Sequence, residues 1–296
     1  MRIFQVDAFT SRRFSGNPAT VVLDAAAQSD EQFAKIAREF AHAETAFVLP
    51  AVANDHDVGV RFFNSRKEAA FVVHATLAVH HVLLTLGMRD FGEYRQKSRQ
   101  GIMTVTAERD ADRPLFEFRQ TPADLDASLG LDAKLRIAEA LGLSNELLHA
   151  TLPATIARKG STRLLLPLTS ATSLRFIKPN FAALVELGTD LGIEGFFPFV
   201  VEQDGEEVRT RSRMFCPSLG IPEDPVSGNA HAMLATYLWR LTELRPFVTQ
   251  FTGNQGEHVN RAGTVNVRLE VTGGELVAVH IGGHAVTVTE GRLDEN

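Results

Sequence analysis

Cysteine is almost absent from this chain of 296 residues: Cys216 stands alone. A single thiol excludes an internal disulfide and any zinc site built from a cysteine cluster. Basic runs are missing too, and 30 basic against 36 acidic side chains give a formal net charge of −6. That balance argues against nucleic acid or an anionic membrane as a partner, because no stretch would release counterions. It leaves room for a local basic pocket that holds a small acid. No dinucleotide-binding or Walker-type glycine loop, short-period repeat, low-complexity tract or paired metal-ligand spacing occurs, so neither a metal nor a nucleotide cofactor is expected. The opening Met1–Asp7 lacks the apolar core and cleavage site of a signal peptide, which predicts a cytoplasmic protein.

What remains is ordinary globular material, 44% hydrophobic and 22% charged, long enough for two domains of about 150 residues each. The stretch from Ala69 to Met88 carries no Asp, Glu, Lys or Arg. Its length approaches that of a membrane span. It contains His74, Thr76, His80, His81 and Thr85, however, and opens with a strand-like run, so a buried central helix is the better reading. His80 and His81 fall inside that helix as core or interface residues.

The most informative segment lies later, at Gly220-Ile221-Pro222-Glu223-Asp224-Pro225-Val226-Ser227-Gly228-Asn229-Ala230-His231. Pro222 and Pro225 hold the approach extended, Gly228 permits a tight turn, and Asn229 is placed to cap the free N–H groups of the helix that follows. Such a helix start attracts a carboxylate or phosphate. An ordinary loop before a capped core helix is the plainer alternative. A second copy of the pattern favours the anion site: Arg61-Phe62-Phe63 precedes His74-Ala75-Thr76, as Arg213-Met214-Phe215 precedes Asn229-Ala230-His231. Each copy reads as strand, turn, polar residue, Ala, then a helix without charge in its body. A helix with no polar face must be surrounded. Short β-branched runs such as Thr20–Leu23, Phe47–Leu49, Met103–Thr106, Phe116–Phe118 and Val265–Leu269 supply the shell. Two such halves would present both helix starts to one shared cleft.

Along the chain, Ser29-Asp30-Glu31-Gln32 forms a capping box for a helix that buries Phe33, Ile36, Ala37 and Phe40 and ends near Ala41–Ala43. Gln120–Asp124 reads as a linker, with an amphipathic helix from about Leu135 stopped at Gly142. Gly195–Val201 is a buried strand and Gly282–Val288 a closing one, while Gly253–Glu257 reads as a loop over the cleft. Glu44 is the sharpest candidate for chemistry. Its apolar setting between Ala43 and Thr45-Ala46-Phe47 would raise its pKa and suit it to cycle a proton, although a solvated glutamate at a helix end reads equally simply. His74 either donates to a substrate or caps its helix. Asp224 either orients a substrate group or forms a turn.

Together these segments resemble the phenazine-biosynthesis isomerase-like (PhzF-like) family. The matching motifs are Val6-Asp7-Ala8-Phe9-Thr10 with Gly16-Asn17-Pro18, Glu44-Thr45-Ala46-Phe47, Arg61-Phe62-Phe63, His74-Ala75-Thr76, Glu223–Ala230, Gly195–Phe199 and Ile281–Val286. The resemblance implies an α+β fold of the diaminopimelate epimerase type, two pseudo-symmetric domains, each a barrel-like, mostly antiparallel sheet around a central helix. The expected domains are 1–119, completed by a strand at about 284–296, and 124–283, with the active site in the cleft between them. It implies isomerisation by proton transfer without metal or cofactor, Glu44 as general acid/base, and His74 and Asp224 as catalytic assistants. Substrate contacts are implied at Gly16, Asn17, Val73, Ala75, Gly228 and Asn229, for a small carboxylate-bearing molecule, in a homodimer. The chain departs from the family pattern at Val72-Val73, where Cys-Gly is usual, and at Asn229, where Ser is commoner. Val73 narrows the space beside His74, so the substrate differs in size or shape from a dihydro-hydroxyanthranilate. Two other readings stay open: a small-molecule binding protein whose turnover Val73 has disabled, and an epimerase or racemase.

Overall fold

The computed structural model describes residues 1–244 and 248–294. The chain divides into two compact units, the first comprising Met1–Arg119 with Gly282–Asn296 and the second Gln120–Ile281. Residues 295 and 296, part of the strand expected at about 284–296, lie outside the described residues.

Unit 1 runs β1 (Arg2–Ala8), β2 (Asn17–Leu23), α1 (Asp30–Phe40), β3 (Thr45–Pro50), β4 (Val58–Phe63), β5 (Glu68–Ala69), α2 (Val73–Thr85), β6 (Gly92–Ser98), β7 (Gly101–Asp110) and β8 (Arg113–Gln120). A closing strand, Ala285–Arg292, pairs antiparallel with β1. Alternation along the strands decides what each face covers. Ile3, Val22, Phe47 and Phe63 pack outward against Phe33, Ile36 and Ala37 of α1. Phe4, Val21, Ala46 and Phe62 pack inward against Ala75, Ala78, Val79 and Val82 of α2. Because α2 is enclosed, ten of its thirteen residues are buried, His74 and His80 among them. The Ser29 capping box is present: Ser29 Oγ accepts from Gln32 N–H, and Gln32 Oε1 from Ser29 N–H.

Unit 2 runs β9 (Asp124–Ser128), α3 (Leu131–Ala140), β10 (Thr155–Arg158), β11 (Thr162–Pro167), α4 (Ala171–Phe176), α5 (Phe181–Leu191), β12 (Gly195–Asp204), β13 (Glu207–Ser212), α6 (Gly228–Leu241), β14 (Gln250–Gln255), β15 (Gly263–Thr272) and β16 (Glu275–Gly283). Its pairing repeats that of unit 1. A helical crossover makes β2 and β3 parallel, as α4 and α5 do for β11 and β12. Antiparallel pairing joins β3 to β4 and β12 to β13. The buried helix then crosses over to a parallel neighbour, β4 to β6 around α2 and β13 to β14 around α6. Both units are mixed sheets, antiparallel except at the crossovers. No helix among the described residues is long and apolar enough to cross a membrane.

Three expected elements differ. The helix placed from Leu135 starts at Leu131, because Gly130 serves as its N-cap and Asp132 favours its first turn. The closing strand expected over Gly282–Val288 is two strands broken at His284, whose carbonyl accepts from Thr10 N–H while its Nδ1 bonds Pro114 O. The segment Gly253–Gln255 is strand, not loop, since both edges of β14 are paired; the expected loop is confined to Gly256, at φ +89°, and Glu257, where a short helical turn begins.

Candidate active site

In unit 1, α1 is capped by Ala41 in the left-handed region, φ 52°, and a short turn places Glu44 immediately before the first residue of β3, Thr45. Glu44 O accepts from Thr20 N–H at 3.2 Å, which ties the turn to β2. The Glu44 carboxylate comes within 3.4 Å of His74 Nε2, with only 14% and 10% of the two side chains exposed. The contact is close but misaligned, and His74 Nε2 makes no hydrogen bond. Nearness to the carboxylate therefore does not offset desolvation: burial, aided by the nearby His42, pushes His74 down to about 3. His74 is thus a neutral imidazole at neutral pH. It is the second residue of α2, whose N-cap is Val72 without a side-chain cap bond, so the capping role considered for His74 does not occur.

His42 was not anticipated. Its Nδ1 lies 2.7 Å from Thr20 Oγ1 and its Nε2 3.2 Å from Gln5 Nε2. Thr289 donates its hydroxyl to Gln5 Oε1, which turns the Gln5 amide nitrogen toward the ring. His42 Nε2 therefore accepts and Nδ1–H donates. Gly16 has φ +63°, and a Cβ there would lie 2.1 Å from Ala8 O, so only glycine fits. Asn17 follows, fully buried at the start of β2. Val73 is buried at 7% exposure, and the Ala75 methyl belongs to the inner core, leaving its backbone for any ligand.

In unit 2 the start of α6 corrects one expectation. Ser227, not Asn229, is the N-cap, accepting from Ala230 N–H. Asn229 lies inside the first turn, and its Nδ2 donates to Ser161 Oγ at 2.8 Å and Lys159 O at 3.3 Å. Gly228 is the first helical residue and has no left-handed φ. Ser, Gly and Asn all suit N-caps, and the first of them took the position. Asp224 is held through its backbone: its N–H donates to Met214 O, and its carbonyl accepts from Gln255 Nε2 at 2.7 Å. Gln255 Oε1 accepts from Ser227 N–H, so this one amide braces both ends of the turn. Arg213 forks onto Glu223 at 2.9 and 2.7 Å, as Arg61 forks onto Glu68 at 2.8 and 2.9 Å in unit 1. Each arginine also lies over the phenylalanine two residues on, Phe215 or Phe63. Cys216 is buried.

The profile of the phenazine biosynthesis-like protein family matches residues 6–291. An uncharacterized isomerase of Pseudomonas aeruginosa is 35% identical over 295 residues, 99% of this chain and 98% of the relative. The trans-2,3-dihydro-3-hydroxyanthranilate isomerase of the same organism is 28% identical, covering 98% of each chain. The crystal structure of the Bacillus anthracis PhzF-family phenazine biosynthesis protein superposes with a TM-score of 0.90 at 24% identity, over 100% of this chain and 99% of that one. The duplicated topology, the Glu44–His74 contact and these likenesses agree: this chain belongs to the phenazine biosynthesis-like family.

Proposed function

We propose that the protein is an isomerase that moves a proton between carbons of a small carboxylate-bearing metabolite without a cofactor. The observation that carries this reading is the Glu44 carboxylate 3.4 Å from a buried, neutral His74. A carboxylate takes a proton from a carbon acid and returns it elsewhere on the same molecule; a neutral imidazole beside it donates to developing negative charge without competing for that proton. Asp224 orients the substrate in this proposal. The substrate carboxylate is held by the backbone N–H groups of Gly228 and Asn229, because the Asn229 amide nitrogen already serves Ser161 and Lys159 and the Ala230 N–H serves the Ser227 cap. Gly16, Asn17 and the Ala75 backbone line the substrate, and Val73 restricts its size. The working form is a cytoplasmic homodimer.

Turnover in deuterated water, screened over carboxylate-bearing metabolites including trans-2,3-dihydro-3-hydroxyanthranilate, is expected to place deuterium on carbon. Glu44→Gln keeps shape but cannot cycle a proton, so exchange falls by about 10²–10⁴-fold while binding persists. Exchange by that variant within a few-fold of the parent removes Glu44 from the mechanism. Binding with no exchange by the parent favours the binding-protein reading. The two-thiol racemase reading is left with Cys216 alone, and Cys216→Ser is expected to leave exchange unchanged.

A further inference from the structure

Arg89 is 4% exposed, yet among the described residues its hydrogen bonds go to no carboxylate. Nε donates to Asp90 O, Nη2 to the carbonyls of Gly92 and Val105, and Nη1 meets His80 Nδ1. A guanidinium only donates, so His80 Nδ1 accepts and the ring proton resides on Nε2. His80 Nε2–H then donates to Gln96 Oε1 at 3.1 Å. That fixes the Gln96 amide, whose Nε2 donates to Thr76 Oγ1 at 3.2 Å, and Thr76 passes its own proton to Val72 O at 2.8 Å. The far end is a carbonyl, which only accepts. Every tautomer and amide orientation between Arg89 and Val72 is thereby forced from both ends. His80, Gln96 and Thr76 are buried to 1% exposure or less, so each bond stands in a medium where losing it leaves an orphan.

The chain of bonds ends at Val72, the N-cap of the helix that carries His74 two residues on, and that N-cap has no side-chain cap. We propose that Arg89, His80, Gln96 and Thr76 form a one-directional positioning relay that fixes the first turn of α2, and with it His74, from the opposite end of the helix. The relay explains a histidine kept in the core of an enclosed helix, and beside it a buried arginine that hydrogen-bonds no carboxylate among the described residues. Its role in turnover rests on the proposed function; its existence does not.

Long-range ¹H–¹⁵N correlation spectra of the histidine-labelled full chain at pH 7 test it directly. His80 is expected as the Nε2–H tautomer with Nδ1 as acceptor. An Nδ1–H tautomer or an imidazolium at His80 overturns the relay, whatever the activity. Thr76→Val is close in size and cuts the last two links, from Gln96 and to Val72, so it serves even where Arg89→Met fails to fold. It is expected to shift the His74 ring resonances, to raise amide exchange in the first turn of α2 at least tenfold, and to lower kcat about tenfold with KM little changed. Unaltered His74 resonances in a folded Thr76→Val protein refute the positioning role. If the spectra behave as expected but Glu44→Gln retains exchange, the proposed chemistry fails and the relay stands.

Discussion

The two buried helices begin alike in topology and differently in chemistry. In unit 1, Thr76 Oγ1 bonds the carbonyl of the N-cap residue Val72, four positions back; in unit 2, His231 Nδ1 bonds that of Ser227 at the same spacing. Counting from Arg61 and Arg213, the strand residue Val58 corresponds to Thr210, and their parallel partners are Gln96 and Gly253. Gln96 reaches Thr76, whereas a Cβ on Gly253 would lie 2.0 Å from the His231 ring. One volume is thus filled as Thr plus Gln in one unit and as His plus Gly in the other. The fold prescribes an i to i−4 bond onto the N-cap carbonyl and leaves open which side chains make it.

The largest expected effect follows from that exchange. Gly253→Gln should cost about 3 kcal/mol or more through overpacking against His231. The double variant Gly253→Gln with His231→Thr, which transplants the unit 1 arrangement, should recover at least half of the loss in urea unfolding. A harmless single substitution would break the correspondence.

The arginine forks come next. Arg213 and Glu223 have side chains 9% and 12% exposed, so Arg213→Met leaves a carboxylate nearly buried and should destabilise by about 3 kcal/mol. Arg61 is 27% exposed, and Glu68 keeps a contact to Arg99, so Arg61→Met should cost about 1 kcal/mol. Equal urea midpoints for the two variants would refute the ranking.

Acid is expected to act on both helices. Burial lowers His74 and His80 to about 3, and His81 and His231 to about 4. The unfolded chain then binds more protons than the native one between about pH 6.5 and pH 4, so stability is complete above 6.5 and falls as pH drops through that window. Each histidine contributes at most about 1.4 kcal/mol per pH unit. Calorimetry should detect proton uptake on unfolding at pH 5, reduced in His80→Gln. No uptake would place the imidazoles in water.

The smallest effect concerns the caps. Ser227→Ala removes the side-chain cap of α6 and should cost about 1 kcal/mol. Val72→Ala removes no cap, and its loss should be confined to the methyl groups of a half-buried side chain.

The duplication was legible because its carriers lie close together in sequence: Arg61 and Phe63 before His74, Arg213 and Phe215 before Asn229. The capping box at Ser29 and the core position of His80 were readable for the same local reason. What escaped depends on contacts between a strand and the start of a buried helix. Gln96 meets Thr76 from twenty residues away, and Gln255 meets Ser227 from twenty-eight. Neither glutamine stands out in a strand pattern. Asn229 reads as the cap because three consecutive residues all suit one, and only backbone geometry separates them. Gly253 and Asn254 read as loop because turn formers dominate there; the glycine answers to a ring on another element.

Unit 1 opens with β1 and is closed by Ala285–Arg292, which pairs along the whole of β1. Every residue of unit 2 emerges from the ribosome between these partners. β1 is therefore among the last strands to be fully paired, and until then one edge of it offers free N–H and C=O groups to any passing strand. β1 thus depends on a strand that follows all of unit 2 in the chain, so deletion of Ala285–Arg292 should harm unit 1 rather than unit 2.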